Sequence, residues 1–282
     1  MRLIKAEFRK LTSTHVWWVL ILSVVALTAL ALAVNVLQYH YMLEAPVMDF
    51  EGMDPAAAER MKADWEANVD IVQIASGLYT SGQYLGLLFS MVLGILLVTN
   101  EYFHQTATTT FLITPRRSPV VFAKLVTAMV WGVGLWLVTT LLALPAGMIF
   151  LNTEGYGMQL GEWGVVRSIL FNLLAYVVWA IFGVGLGALM RSQIAAIVVA
   201  MVLYLIGTPV AAAFTYLIVR WTGAEWLENL QVIFPSVASN LMTQGIQLPS
   251  SPPQWVGACV LIGYAVLAGS IGLAITKRRD IA

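Results

Sequence analysis

The run LTSTHVWWVLILSVVALTALALAVNVLQYHYML, residues 11–43, decides the fold class. It contains no Asp, Glu, Lys or Arg, and a helix needs only about 20 apolar residues to cross the hydrocarbon core of a bilayer. Similar runs cover 71–100, 125–153, 168–190, 192–219 and 229–276. Prolines at 235, 249, 252 and 253 interrupt the last run, so its span is expected to begin near Gln254. The sequence therefore predicts six membrane spans.

Composition excludes a water-soluble protein, because 60% of the 282 residues are hydrophobic and only 11% are charged. The apolar runs are continuous rather than alternating, which favours helices over a membrane β-barrel. A cleaved signal peptide is disfavoured, since the first run is too long for one and five more spans follow. We expect an all-α, polytopic membrane protein forming a single transmembrane domain over 1–282.

The charges predict the orientation of the spans. Of 15 Lys and Arg residues, 11 fall on the side that holds both termini, whereas 12 of the 15 acidic residues fall on the other side. Cytoplasmic connections carry the excess of Lys and Arg in membrane proteins. Both termini are therefore expected to be cytoplasmic.

The stretch NEYFHQTATTTFLITPRRSP, residues 100–119, connects the second span to the third on the predicted cytoplasmic side. One interpretation is a solvated loop whose arginines contact anionic lipid. The other is a segment that docks on a partner protein, since Phe111 and Leu112 would be exposed in a simple loop. These residues leave both interpretations open.

Several positions in this stretch resemble the cytoplasmic hairpin of ABC type-2 exporter permeases. The matching positions are Glu101, Thr106, Leu112, Pro115, Arg116 or Arg117, and Lys124. A basic amphipathic N-terminus, six spans, a long outer connection before the last span and the tail TKRRDIA extend the resemblance over the whole chain. The chain departs from the pattern at Gln105, where many relatives have Gly, and in its longer outer loop at 40–75.

The resemblance implies one permease half of an exporter in the plasma (inner) membrane of a prokaryote. It would pair with a second copy or a sister permease, and two copies of a separate ATP-binding cassette subunit would hold the ATP and Mg. The chain contains no G-x-x-x-x-G-K-[ST] motif, so we expect it to bind no cofactor, to have no catalytic residue and not to be an enzyme itself. Membrane lipid is an expected partner and nucleic acid is not.

The same resemblance assigns roles to two sets of residues. The coupling hairpin, 101–119, would contact the ATPase through Glu101, Gln105, Thr106, Phe111, Leu112, Pro115, Arg116 and Arg117, with Arg191 as a second contact. The path of an amphipathic or lipid-like cargo (drug, antibiotic, peptide or lipid) would run along the second and fifth spans past Tyr84, Phe89, Tyr204, Thr208, Phe214 and Tyr216. Packing against lipid explains the second set equally well.

Three segments outside the spans carry their own predictions. Residues 1–15 predict an amphipathic helix at the membrane interface, the alternative being a basic flank that only orients the chain. The acidic extracellular loop 40–75 predicts a helix beginning near Asp54, with a structural role favoured over attraction of cationic substrates. Residues 221–253 are too apolar for a solvated loop and predict an extracellular re-entrant hairpin turned at Pro235, the alternative being a surface helix.

Other function classes fit the sequence less well. An ion-coupled secondary transporter or a channel usually holds ionisable groups at membrane depth, and no span has one in its middle third. An intramembrane enzyme would need a catalytic constellation that the spans lack. His40 and Glu44 have the spacing of two metal ligands but no third ligand, so no metal site is predicted. The pairs Gly82/Gly86 and Gly183/Gly187 predict close helix packing, within the chain or between chains.

Overall fold

The computed structural model describes residues 2–43, 54, 57, 59–60, 69–105, 117–190, 192–247 and 251–278, and over these residues the regular structure is entirely helical. The helices are α1 (Arg2–Thr12), α2 (Val16–Leu43), α3 (Ile71–Tyr79), α4 (Gln83–Phe103), α5 (Arg117–Thr153), α6 (Trp163–Leu189), α7 (Gln193–Thr222), a 3-10 helix (Glu225–Ile233), α8 (Pro235–Met242) and α9 (Gln254–Arg278).

Six segments of the described chain are long and apolar enough to cross a membrane. They are Val16–Leu43, Ile71–Phe103, Ser118–Thr153, Trp163–Leu189, Gln193–Thr222 and Gln254–Ile275. The prediction of an all-helical chain with six candidate membrane spans is therefore confirmed. Several boundaries differ from the prediction by a few residues, and two of the differences have a plain structural reason. The first span begins at Val16 because the turn around Ser13 and Thr14 separates α1 from α2, and the third begins earlier because Lys124 lies inside its helix.

α4 lies at the centre of the bundle. It belongs to the second span, which is the most buried of the six. Its closest neighbour is α6, where a Cβ atom added to Gly183 would lie 2.0 Å from the carbonyl oxygen of Met91. A Cβ atom on Gly86 would likewise collide with the hydroxyl of Tyr176. Both predicted glycine pairs thus have packing partners within the chain, which resolves the alternative that the sequence leaves open.

The second span is broken into α3 and α4 at Thr80, Ser81 and Gly82, a feature that its unbroken apolar run does not predict. The polar groups at the break have partners inside the bundle. The Tyr176 hydroxyl donates to the carbonyl oxygen of Gly82 at 3.0 Å, and Asn35 Nδ2 donates to Ser81 Oγ at 2.9 Å. Because these groups are satisfied, the helix can break in an apolar environment.

The segment between α7 and α9 forms two short helices, the 3-10 helix and α8, with the chain turning at Phe234 and Pro235. Trp226 and Ile233 of the 3-10 helix are exposed, whereas Ala238 and Met242 of α8 are buried. α8 is the better anchored of the two helices.

Side-chain hydrogen bonds hold the segment between α7 and α9 to the spans, and we call it the outer segment after its predicted side of the membrane. Gln83 Nε2 donates to the carbonyl oxygen of Ser239 at 3.1 Å, and Trp179 Nε1 donates to Ser239 Oγ at 2.8 Å. Further along the segment, Gln73 Oε1 accepts from the amide of Gly245 at 2.7 Å. The segment is therefore fixed to α3, α4 and α6.

Of the loop 40–75, the structure describes both ends and a few positions between them. α2 ends at Leu43, Asp70 caps α3 by accepting from the amide of Gln73 at 3.0 Å, and Ala57, Glu59 and Arg60 are helical. The rest of the predicted helix lies outside the described residues.

Candidate functional site

Four charged side chains from three helices form one ion-pair network at the end of the bundle where α1 lies. Lys10 Nζ lies 2.7 Å from Glu7 Oε1 and 2.5 Å from Glu101 Oε1. Lys124 Nζ lies 2.7 Å from Glu7 Oε2 and 3.1 Å from Glu101 Oε1. Each lysine thus bridges the same two carboxylates. We call Glu7, Lys10, Glu101 and Lys124 the charge network.

Three members of the network are almost completely buried. Glu7, Glu101 and Lys124 are 4%, 5% and 4% exposed, and Lys124 also donates to the carbonyl oxygen of Leu97 at 2.7 Å. The side chain of Lys10 is 41% exposed and opens the network to solvent on one side. Burying an unpaired charge is very unfavourable, so the two buried carboxylates require the cations of Lys124 and Lys10 beside them.

Each charged residue lies on the buried side of its own helix. Glu7 is one turn from Leu11, which is buried, and Lys124 is one turn from Val120, which is also buried. α1 is further fixed by Phe8, whose ring stacks on that of Trp131 at a centroid distance of 5.5 Å. The apolar residues Phe8 and Leu11 of α1 therefore contact the spans of the protein.

The protonation of Lys10 reflects its partners. Burial by itself lowers the pKa of Lys10, but hydrogen bonds and coulombic attraction from Glu101 and Glu7 outweigh it and raise this pKa above its ordinary value. Lys10 is therefore positively charged throughout the physiological pH range.

The charge network lies where the predicted coupling hairpin joins the bundle. Glu101 is in the last turn of α4, and Lys124 is in the second turn of α5. α4 ends at Phe103, and Gln105 has a φ of 56°, a left-handed conformation that turns the chain away from the helix axis. The network thus joins the two ends of the connection 106–116 to α1.

The predicted coupling residues fall into two groups. Glu101 lies inside the network, Gln105 is exposed, and Arg117 is the first residue of α5. Thr106, Phe111, Leu112, Pro115, Arg116 and Arg191 lie outside the described residues, as does the side chain of Arg117. Their contact with an ATPase stays a prediction. Because Glu101 is buried, any part it plays in coupling must be to position the hairpin rather than to contact a partner.

A cleft of about 210 Å³ adjoins the network on the side of Lys10. Its polar lining consists of Glu7, Lys10, Ser13, Thr14, Asn100, Glu101 and His104. The cleft gives water access to Lys10, whereas Lys124 remains enclosed on the opposite side of the carboxylates.

The residues predicted to line a cargo path do not form one continuous surface. The rings of Tyr84 and Tyr204 are 5.5 Å apart, but Tyr84 is 48% exposed while Tyr204 is 3% exposed. Phe89 is partly buried against the core. Phe214 and Tyr216 are exposed, and Thr208 is half-buried.

A groove that the sequence did not predict lies beside Tyr204. It has a volume of about 400 Å³ and is lined by the spans α6, α7 and α9 and by the turn of the outer segment. Aromatic residues dominate one wall, where Trp179 meets Tyr204 edge to face at 4.9 Å and Phe182 meets Tyr264 at 6.1 Å. No periodicity in the sequence brings these three helices together.

The sequence did not predict the charge network as a unit, although it contains two charged residues in unusual positions. Glu7 is the one acidic residue in a strongly basic N-terminal segment, and it occupies the apolar face of α1. Lys124 interrupts an otherwise apolar run. Both positions are unfavourable without a partner, and such exceptions identify charges that pair across helices.

His40 has a partner that the sequence did not identify. Its Nδ1 lies 2.8 Å from Glu154 Oε1, which joins the end of α2 to the end of α5. Glu44, the residue considered with it as a metal ligand, lies outside the described residues. No cluster of three or more His, Cys, Asp or Glu side chains occurs among the described residues.

Comparison with known proteins places the chain in a family without assigning an activity. No curated protein matches the sequence. The family match begins in the loop after the first span and continues to the last residue. Because it covers most of the chain, at residues 61–282, the protein belongs to the family described as protein of unknown function, DUF2705.

Proposed function

We propose that the chain is the permease subunit of an ATP-driven exporter of the ABC type-2 kind. It moves an amphipathic or lipid-like cargo outward with energy from a separate ATP-binding subunit. The observation that carries the proposal is the charge network, which joins α1 to both ends of the connection 106–116. This connection is the part of the chain that resembles a coupling hairpin.

The network is suited to transmitting a mechanical displacement. Removing one partner from a buried ion pair costs about 3–5 kcal/mol, so separating α1, α4 and α5 at this point is unfavourable. A force applied to the hairpin therefore moves the ends of these three helices together. The geometry suits a permease whose energy is supplied at its cytoplasmic end.

The positions of the charged residues in the spans favour this function over an ion-coupled transporter or a channel. Glu101, Lys124, Arg167 and Arg220 are the charged residues of the six spans, and each lies near an end. An ion-coupled machine retains ionisable groups at membrane depth despite their cost. The break in the second span does not supply a free carbonyl for an ion at Gly82 either, since this carbonyl already accepts a hydrogen bond from Tyr176.

The same proposal includes the assembly and its location. Two such chains, or this chain and a sister permease, form the membrane part, and two copies of an ATP-binding cassette subunit bind ATP and Mg on the cytoplasmic side. The chain is then not itself an enzyme and binds no cofactor. The complex lies in the plasma (inner) membrane of a prokaryote, with both termini of this chain in the cytoplasm.

The aromatic groove supports an amphipathic or lipid-like cargo. Its lining combines large apolar surfaces with the hydroxyl groups of Tyr264 and Ser236. The ring of Tyr204 contacts Trp179 of this groove, and the ring of Tyr84 contacts that of Tyr204. Aromatic side chains with a polar tip are suited to ligands that are apolar at one end and polar at the other.

The outer segment acts in this proposal as a re-entrant hairpin that closes the exit. Ser236 Oγ lies 3.4 Å from the position of a Cβ atom on Gly207, fifteen residues before the end of α7 at Thr222. At 1.5 Å per residue, the turn reaches about 22 Å along α7 from its outer end. A turn at that distance from the helix end supports insertion between the spans rather than a position on the surface.

Cysteine crosslinking tests the proposal. In a Cys259→Ala background, single cysteines at 106–112 are expected to crosslink to the ATP-binding subunit and to be protected from aqueous thiol reagents in the assembled complex. A cysteine at Trp226, which is exposed on the outer segment, is the control and should not crosslink. Free labelling of every position from 106 to 112 in the full assembly would show that the hairpin does not dock.

A further inference from the structure

The outward face of α1 is strongly basic. Lys5 and Arg9 are exposed one turn apart, and Lys10 is partly exposed beside them. Glu7 is the one acidic residue of this helix and is turned inward into the charge network. The outward face is thus left with several positive charges and no acid from its own helix.

These residues surround an open concavity of about 580 Å³. Among the described residues it is lined by Lys5, Ala6, Arg9, Lys10 and Ser13. The lining supplies the guanidinium of Arg9 and the ammonium groups of Lys5 and Lys10, which are donors that bind a phosphate group. The Ser13 hydroxyl already donates to the carbonyl oxygen of Lys10 at 3.0 Å. Lys10 uses two of its three N–H donors on Glu7 and Glu101, which leaves one for a ligand.

The adjoining start of α2 gives the depth of this concavity relative to a membrane. Trp17 Nε1 donates to the carbonyl oxygen of Thr12 at 3.2 Å, so the two helices meet in a tight corner. Trp18 is exposed, and exposed apolar residues begin with Val19 and Leu22. Trp residues at the end of a span lie at the level of the lipid headgroups. Lys5, Arg9 and Ser13 are consequently at or just beyond the headgroup level.

We propose that the concavity binds the phosphate-bearing headgroup of an anionic phospholipid in the leaflet on the side of α1. Charge complementarity favours an anion, and the position beside Trp17 and Trp18 favours one that belongs to the membrane. The apolar side of α1 is covered by the spans through Phe8 and Leu11. The helix therefore contacts the lipid through its basic face rather than by inserting an apolar face.

Lipid titration of the full chain tests this site. The protein in a neutral detergent is titrated with phosphatidylglycerol and, separately, with phosphatidylcholine, and bound lipids are counted by native mass spectrometry. Each basic residue near an anionic headgroup contributes about five-fold to affinity. The double variant Lys5→Gln/Arg9→Gln should therefore bind phosphatidylglycerol roughly 25-fold more weakly, with no change for phosphatidylcholine.

Arg220→Gln is the matched control, because Arg220 is an exposed basic residue in the last turn of α7, at the end of the bundle away from α1. It should bind phosphatidylglycerol like the unchanged protein. Equal affinity of the double variant and the control would overturn the proposal. Competition by inorganic phosphate as effective as that by phosphatidylglycerol would overturn the assignment to a lipid. The proposal also fails if the double variant keeps its lipid affinity but loses binding to an ATP-binding subunit, since the basic face would then serve a protein.

Discussion

Replacing Lys124 by Met should destabilise the protein more than any exposed charge substitution. The change removes the cation that lies 2.7 Å from Glu7 and 3.1 Å from Glu101, and it leaves two buried carboxylates with Lys10 as their one remaining cation in the network. It also removes the donor to the Leu97 carbonyl. Breaking a buried ion pair in this way costs about 3–5 kcal/mol, so the free energy of unfolding should fall by that amount.

Two further variants separate the electrostatic effect from the loss of packing. Lys10→Met removes the other cation of the network, but the side chain of Lys10 is 41% exposed, so water can compensate and the cost should be smaller. The double variant Glu7→Gln/Lys124→Met leaves the balanced pair Lys10 and Glu101. The stability lost by this double variant should be smaller than the sum of the losses of Glu7→Gln and Lys124→Met alone, by about 0.5–3 kcal/mol.

The assay is reversible unfolding of the purified protein in mixed detergent micelles with increasing SDS, followed by tryptophan fluorescence. Arg220→Met serves as the control, because this exposed residue should change stability by no more than about 0.5 kcal/mol. If Lys124→Met is as stable as Arg220→Met, the network does not hold the three helices together and the reasoning is refuted.

Three other predictions follow from the packing and the charges. Gly183→Ala should cost about 1–3 kcal/mol in the same assay, because its Cβ atom would collide with the Met91 carbonyl, whereas Gly134→Ala has open space and should cost nothing measurable. Gln73→Ala should increase proteolysis and hydrogen exchange of the outer segment, whose backbone amides lose their acceptor; an unchanged exchange rate would contradict this. The stability difference between the unchanged protein and Lys10→Met should be constant at neutral pH. Because the pKa of Lys10 is raised in the folded state, this difference should be lost only as the pH rises above its ordinary value of 10.5, and its loss near pH 7 would contradict the raised pKa.

The number and approximate position of the spans were predictable from the sequence because a membrane imposes a minimum length of apolar chain. The glycine pairs were predictable for a similar reason, since close backbone approach requires small residues at regular spacing. The break at Thr80–Gly82 was not predictable. The polar groups at the break contact residues that are remote in sequence, such as Tyr176, whose hydroxyl donates to the Gly82 carbonyl.

The candidate site was predictable only in part. The resemblance to exporter permeases identifies Glu101 and Lys124, but the sequence places Glu7 and Lys10 only within the predicted amphipathic helix of residues 1–15. Their partners lie at sequence separations of 117 for Glu7 with Lys124 and 91 for Lys10 with Glu101. No local pattern encodes such pairing. An acid on the apolar face of α1 indicates only that some partner must exist.

ATP hydrolysis by the complex that purifies with this chain tests the central claim most directly. The tagged chain is extracted from its membrane in a mild detergent, and the purified material is assayed for bound subunits and for vanadate-sensitive ATP hydrolysis. A subunit containing a G-x-x-x-x-G-K-[ST] motif is expected in equal amount, and a Cys at 106–112 should crosslink to it. Purification of a stable, folded chain with no ATP-hydrolysing subunit and no hydrolysis, from membranes that contain the partner, would contradict the proposed function.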